Sequence, residues 1–422
     1  MSVSNDTPPM TTFRGNFFGQ MARSLLARSL RQMLHTGTVA ITLPDGGRLV
    51  IGQGLPRVAL KLHDWRTVFR LATNPNLAAG ESYMDGRLTM ERGDIYDLLD
   101  LCMINFGQKI SRKDDGLWAR LRFLGRRLMM NNPVGRAQKN VAHHYDLSDE
   151  LFELFLDEQR QYSCAYFAEP DMSLDEAQEA KISHIANKLQ LRPGQRLLDI
   201  GSGWGGLGLA LAEKSGVDVT GVTLSVEQQR YAEADAQSRD LSDQVRFKLL
   251  DYRKLSGRFD RIVSVGMFEH VGAPRYQEYF DKVAKLLKDD GVALIHTIAS
   301  LKPPSTPHPW IRKYIFPGGY IPSLSEITPA IENSGLVVGD IEVLRLHYAD
   351  TLRVWRQRFL QNWDKAAALY DQRFCRMWEF YLASCEAGFR HNGLVVVQIQ
   401  LSKNQQAVPL VRDYMYGNEP VS

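Results

Sequence analysis

Apolar and polar positions recur with two different periods along this 422-residue chain, and the change of period divides it. Leu26, Leu30, Met33 and Leu34 fall at helical spacing with Arg28 and Arg31 interleaved, which predicts a small basic amphipathic helix, packed as a first helix or docked on a surface. Between Val39 and Leu62 the β-rich runs VAITL, RLVIG and RVALKL are separated by PDGG and GQGLP, and they predict a small meander. Helical spacing resumes over Asp64–Ala72, Asn76–Met84 and Asp94–Phe106; Asn131-Asn132-Pro133 with Gly135 then marks a boundary. Beyond it the texture changes. RLLDI (Arg196–Ile200), DVTGVTL (Asp218–Leu224), VRFKLL (Val245–Leu250), DRIVSVGM (Asp260–Met267) and VALIHTIA (Val292–Ala299) predict strands. Helices are expected over Asp175–Leu189, Gly206–Lys214, Val226–Arg239 and Arg275–Leu287. Such alternation means βαβ units and a mostly parallel sheet covered on both faces. The expectation is an α/β domain over residues 131–422, preceded by a smaller α+β domain over residues 1–130. Ligands are expected at the carboxyl ends of the parallel strands.

Composition narrows the picture. Hydrophobic content of 44% and charged content of 23% are ordinary for a globular protein. The four cysteines, Cys102, Cys164, Cys375 and Cys385, form no C-x-x-C pair and no Cys/His zinc spacing, which argues against a metal site and for a reducing compartment. No apolar run approaches the roughly 18 residues needed to span a bilayer. SLLARSLRQML is interrupted by arginines, so it does not read as a signal peptide. The net charge of +3 hides a local bias: Leu101–Val141 holds nine basic residues against two acidic ones. Trp118, Phe123, Leu128 and Met129 are interleaved with them, a mixture that suits anionic lipid better than nucleic acid.

The strongest local signal is LLDIGSGWGGLG, where Gly201, Gly203 and Gly206 satisfy G-x-G-x-x-G between a strand and a helix. Glycines there let the backbone turn tightly and approach a ligand. Asp199, two residues before the first glycine, is placed to accept from an ammonium or hydroxyl. A dinucleotide site would want an acidic residue about 20 residues further on. GVTLS stands there instead, with Thr223 at the strand end and Gln228 one turn into the next helix. LLDYR ends the third strand, where Asp251 and Tyr252 offer an edge and a face to adenine. That is the layout of a class I methyltransferase using S-adenosylmethionine. QYSCAYF (Gln161–Phe167) raises a separate question: Cys164 reads first as a small core filler, as a free cysteine usually is, with a nucleophile or a residue placed for a cofactor as the alternatives.

NVAHHYDLSDELFELFLDEQRQYSCAYF, LLDIGSGWGG, GVTLSVEQQ, DRIVSVGMFEHVG, LIHTIAS and HYADTL, in that order, resemble the cyclopropane-fatty-acyl-phospholipid synthases and the related mycolic acid cyclopropane synthases. The resemblance runs from about Val141 to the end, and GESYMDG (Gly80–Gly86) resembles the N-terminal domain of the bacterial phospholipid enzymes. It implies S-adenosylmethionine contacts from Tyr162, Ser163, the loop Gly201–Gly205 with Gly203 and Gly205, Thr223, Leu224, Gln228 and Tyr252. It also implies a bicarbonate held by Cys164, Glu269, His296, the N–H of Ile298, and Tyr348. Ser202 stands where many relatives carry cysteine. Cys385, in YLASCEAGFR, matches a family cysteine and joins the candidate catalytic set, although its spacing with Phe380, Tyr381 and Phe389 reads as core.

The activity so implied adds a methylene from S-adenosylmethionine across a cis double bond of an acyl chain in membrane phospholipid. A relative producing a methyl-branched or methylene product would share these motifs. An alkene is a poor nucleophile, so the sulfonium methyl must be held in line and dry. The resulting carbocation calls for aromatic faces, for which Tyr166, Phe167, Trp204, Phe268, Tyr314, Phe316 and Tyr320 are the candidates. Bicarbonate would serve as the weak base. Taken alone, His296 on an apolar strand reads as a core histidine and Glu269 as a helix cap; both at strand ends of one sheet read as a site. His143 and His144 are expected to position the segment covering the cofactor. The resemblance further implies a homodimer in the cytoplasm, in peripheral contact with anionic lipid at the inner face of the membrane.

Overall fold

The structure is a computed structural model; it describes residues 17–107 and 147–416, which form two compact units dividing between Asn105 and Phe106. The expected boundary at 130/131, the basic run Lys109–Arg127 and the pair His143 and His144 lie outside the described residues.

The first unit runs α1 (Phe17–Met33), β1 (Gly37–Thr42), β2 (Arg48–Gln53), β3 (Arg57–Leu62), α2 (Trp65–Thr73), α3 (Pro75–Met84), β4 (Leu88–Arg92) and α4 (Ile95–Gly107). The Asp64 side chain accepts from the Thr67 N–H and starts α2, satisfying one of the donors that a helix N-terminus leaves unpaired. α1 buries Ala22 and Leu26 in a core shared with Val39, Ile41, Val58, Leu60 and Val68. The three strands form where expected, but they are not a meander. The sheet order is β2-β1-β3-β4, with β1 parallel to β3. Burial explains the order: β3 buries Val58, Ala59 and Leu60 in succession and needs neighbours on both sides, whereas β2 is the most exposed of the three and takes the edge.

The second unit opens with α5 (Asp149–Glu153) and α6 (Leu174–Leu189). β5 (Arg196–Ile200), α7 (Gly206–Ser215), β6 (Asp218–Thr223), α8 (Val226–Ser238), β7 (Val245–Leu249), β8 (Phe259–Val265), α9 (Tyr276–Leu286) and β9 (Leu287–Ser300) follow. It closes with α10 (Pro309–Tyr314), α11 (Leu324–Asn333), β10 (Val337–Val343), α12 (His347–Gln361), α13 (Trp363–Leu369), α14 (Gln372–His391) and β11 (Leu394–Ser402). Its seven strands are ordered β10-β11-β9-β8-β5-β6-β7, and β11 alone runs antiparallel to its neighbours.

Adjacent residues of one strand enter different cores, which is why these strands read as continuous apolar runs. Leu198, Ile262 and Ile295 pack with Tyr279, Phe280 and Val283 of α9. Leu197, Val263 and Leu294 pack on the other face with Ile182 and Ile185 of α6 and Leu209 and Leu211 of α7. Because β5 lies between β6 and β8, successive crossovers leave it in opposite directions and open a crevice at the carboxyl ends.

Candidate active site

The turn after β5 is built by its glycines. Gly201 sits at φ 88°, and a Cβ there would approach that of Met267 to 2.8 Å. The N–H groups of Gly201 and Ser202 both donate to the Val222 carbonyl, at 2.9 and 3.1 Å, tying the turn to the end of β6. At Gly206, the first residue of α7, a side chain would collide with the Gln159 carbonyl, so glycine there lets the segment before QYSCAYF lie against the helix start. Gly205 caps α7 but faces Ala232 and Phe247, outside the crevice.

The pocket so formed is lined by Tyr162, Ser163, Asp199, Gly201, Gly203, Trp204, Thr223, Leu224, Gln228, Asp251 and Tyr252, all expected from the sequence, together with Arg160, Gln161 and His270, which were not. The Asp199 carboxyl is buried, and its Oδ2 has no hydrogen-bond partner; nor does the nearby Ser202 Oγ. Burial pushes Asp199 up to about 7, and the charge of Lys181 pulls the other way. A buried, unpartnered acceptor beside a glycine turn fits the ammonium of an S-adenosylmethionine amino-acid tail. Thr223 Oγ1 donates to Gln228 Oε1 at 3.0 Å, so these two arrive as a connected pair. Asp251 is engaged by Arg253, at 2.6 and 2.9 Å, which leaves Tyr252 as the freer of the two adenine candidates.

QYSCAYF is held over this pocket by side chains that sequence reasoning missed. Asp157 accepts from the Gln161 N–H at 3.0 Å, and Gln178 Nε2 donates to the carbonyls of Gln161 and Ser163, both at 3.1 Å. Lys181, fully buried, donates to Gln161 Oε1 and, at 3.1 Å, to Ser163 Oγ. Thr351 Oγ1 receives the Ala165 N–H and His347 Nδ1 the Phe167 N–H, each at 3.1 Å. A signal did exist: Gln178 and Lys181 share the helical stripe of Ile182 and Ile185, where apolar residues were due.

Behind the pocket, Tyr348 has Tyr162, Cys164, Cys385 and Glu269 as its electrostatic neighbours. Glu269, in the turn after β8, accepts the Ile298 N–H on Oε1 at 2.5 Å, and its buried Oε2 has no partner. That N–H, expected to face an anion, is thus taken by Glu269. Burial raises the Glu269 carboxyl, against the pull of the same N–H. His296 is buried on β9 with Nδ1 3.2 Å from Gln398 Nε2, and burial followed by the charge of Lys181 pushes it down to about 3. Its imidazole is neutral. The Cys164 thiol is 1% exposed, and burial pushes it far above the ordinary range. Burial likewise lifts Cys385 to about 12.

The aromatic surroundings differ from expectation. Tyr166 is stacked between the rings of His184 and His347, at 4.5 and 4.9 Å, so both its faces are covered. Phe268 is fully buried among Tyr276, Tyr279 and Phe280. Neither faces the crevice, because sequence proximity to a site residue does not fix which side of the turn a ring takes. Trp204 does line it, with its Nε1 donating to Asp149 at 2.8 Å. Tyr162 stacks on Trp355 at 5.1 Å, and its hydroxyl lies 2.8 Å from that of Tyr381, against which Phe316 packs edge-on. Tyr314 packs on Trp310, and the Tyr320 hydroxyl bonds Glu326.

A protonated, buried Cys164 is no nucleophile. Cys164→Ser should therefore keep substantial methyl-transfer activity, measured with radiolabelled donor; complete loss in a folded variant would restore a covalent role.

Residues 134–399 match the model of the mycolic acid cyclopropane synthetase family. The chain is 42% identical over 334 residues to the cyclopropane-fatty-acyl-phospholipid synthase of Escherichia coli K12, covering 79% of this chain and 85% of that one. It is 34% identical over 397 residues to a probable fatty acid methyltransferase of Pseudomonas putida, covering 91% and 98%. Among solved structures, the mycolic acid cyclopropane synthase CmaA1 complexed with SAH and CTAB superposes with a TM-score of 0.60 at 38% identity, covering 63% of this chain and 97% of that one. A glycine turn, an open buried carboxylate and a sheet of this order thus coincide with close likeness in sequence. The chain belongs to the mycolic acid cyclopropane synthetase family and is an S-adenosylmethionine-dependent methyltransferase of the cyclopropane-fatty-acyl-phospholipid synthase type, with the class I methyltransferase fold.

Proposed function

We propose that this enzyme converts cis double bonds in the acyl chains of membrane phospholipids to cyclopropanes, with S-adenosylmethionine as donor and a bound bicarbonate as base. The observation that carries the reading is Glu269: one oxygen accepts the Ile298 N–H, the other is buried without a hydrogen bond, and the carboxyl is among the electrostatic neighbours of Tyr348. An acceptor left open in a dry site fits a small hydrogen-bonding anion better than empty space. Cys164, Glu269, His296 and Tyr348 would hold it, and Ile298 would act through Glu269. Bicarbonate, when bound, supplies a weak base for a very acidic proton.

The chain's own residues do the rest. Asp199 and the Gly201–Gly203 turn would anchor the donor, which when bound supplies an electrophilic methyl group. The π pair forms the new C–C bond as the S–CH₃ bond breaks toward sulfur. The carbocation then loses a proton from the new methyl group, and that C–H pair closes the ring. Trp204, Tyr162, Tyr381 and Phe316 supply aromatic faces, each contributing ~0.5–2 kcal/mol to a desolvated cation. Nothing ionised and nucleophilic is needed nearby: the Cys164 thiol is held protonated and His296 neutral.

Among the described residues no helix is long and apolar enough to cross a membrane, so lipid would be reached from the surface. The first unit and the basic run Lys109–Arg127 are the proposed contacts with anionic lipid at the inner face of the cytoplasmic membrane, in a homodimer. A second reading follows from the likeness to a probable fatty acid methyltransferase over 91% of this chain: the same cation resolved to a methyl-branched or methylene product.

Mass spectrometry of lipids from cells expressing the protein and fed deuteromethyl methionine separates the two. Ring closure predicts a gain of one CD₂ with loss of the alkene; retained unsaturation or an intact CD₃ group would overturn it. Glu269→Gln should lower turnover by about 10²-fold or more, with S-adenosylhomocysteine affinity unchanged. An equal loss of both would contradict a role confined to deprotonation.

A further inference from the structure

Lys181 is the one buried cation of α6 that touches the cofactor side of the site, and nothing in the reaction above uses it. Its Nζ donates to Gln161 Oε1 and, at 3.1 Å, to Ser163 Oγ; both acceptors line the same pocket as the open Asp199 Oδ2. A lysine with no exposed surface is costly unless its charge is matched. The titratable groups that interact with it electrostatically are Asp157 from the segment before QYSCAYF, Cys164 within it, Asp199 at the end of β5, and His296 on β9. Of these, Cys164 and His296 are uncharged at neutral pH, which leaves the two carboxyls as its counter-ions. Asp157 already receives two backbone N–H groups, from Gln159 at 3.1 Å and Gln161 at 3.0 Å.

We propose that Lys181 is a positioning residue for the donor: it clasps Gln161 and Ser163 over the pocket and supplies the counter-charge that favours the Asp199 carboxylate, the form that receives the ligand's ammonium. The inference rests on the pocket's role in holding S-adenosylmethionine. Among the described residues Lys181 is the only charged group that shifts Asp199, and burial lowers Lys181 itself to about 8. The sign is fixed. Ligand binding needs the Asp199 carboxylate, whose own midpoint is raised to about 7, so affinity falls as pH drops through that value. Removing the positive charge disfavours the carboxylate and moves this acid limb to higher pH.

The test is calorimetric titration of S-adenosylhomocysteine between pH 5.5 and 9 into the full-length wild-type protein, Lys181→Met and Lys181→Arg. In Lys181→Met the acid limb moves up by about one pH unit, so affinity falls about fivefold at pH 7 beyond any loss seen at pH 9. In Lys181→Arg the limb stays at the wild-type position, whatever the absolute affinity. Lys181→Gln, also uncharged, takes the place of Lys181→Met if that variant does not fold. A loss of affinity that is uniform across pH, or an unmoved limb in the uncharged variants, overturns the counter-charge role. A limb that moves equally in Lys181→Arg overturns it too. A wild-type protein with no acid limb would overturn the Asp199 anchor along with it, which distinguishes failure of the underlying reading from failure of the Lys181 proposal.

Discussion

The architecture of the second unit depends on a carboxylate that the fold declines to satisfy. Asp199 ends β5 with one oxygen unpartnered and almost no exposed surface. Burying an acceptor in this state costs about 1–3 kcal/mol relative to one that is bonded. The surroundings make the arrangement tolerable: Gly201 turns the chain away before any side chain can reach back, and Ser202 leaves its own hydroxyl unbonded beside it. The order β8-β5-β6 opens the crevice at this point, and Lys181 brings a positive charge from the opposite helix. A ligand ammonium is the group that the open Asp199 oxygen accommodates.

A second constraint follows from dryness. Cys164, Cys385, Tyr348 and His296 are all held in their uncharged forms by burial. For a reaction through a carbocation this is protective, because a thiolate within reach would be alkylated in place of the alkene. The same burial leaves hydrogen bonding and aromatic faces as the tools available, and α12 and α14 deliver them as packed rings of Trp355, Trp378 and Tyr381 around Tyr162. The covering segment is rigid for a related reason: its backbone is tied to Gln178, Thr351 and His347, side chains from two different helices.

Much of this was legible in the residue order, and the exceptions have physical causes. Parallel strands covered on both faces leave unbroken apolar runs, so β5 to β8 stand close to their expected positions, and the glycine turn with Asp199 is a local motif. β9 starts at Leu287, ahead of the expected Val292, because Leu287 pairs with Phe259 of β8 before an irregular stretch, and regular pairing resumes at Val292. Strand pairing is non-local: nothing in RVALKL reveals that β3 passes β2 to lie against β1. Lys181 was missed because a lysine in an amphipathic helix ordinarily lies on the wet face. Tyr166 and Phe268 were misassigned because neighbours of site residues in the chain need not share their side of the turn. Gly205 was grouped with the cofactor loop, yet its close approach is to Ala232 and Phe247.

Whether Asp199 awaits a cation can be measured in the unmodified protein. Calorimetry of S-adenosylhomocysteine binding at pH 6, in two buffers of different ionisation enthalpy, counts the protons exchanged on binding. With Asp199 raised to about 7, the free protein holds it mainly protonated at pH 6, and anchoring the ligand's ammonium releases close to one proton. Binding with no proton release, or no binding at all, would contradict the account.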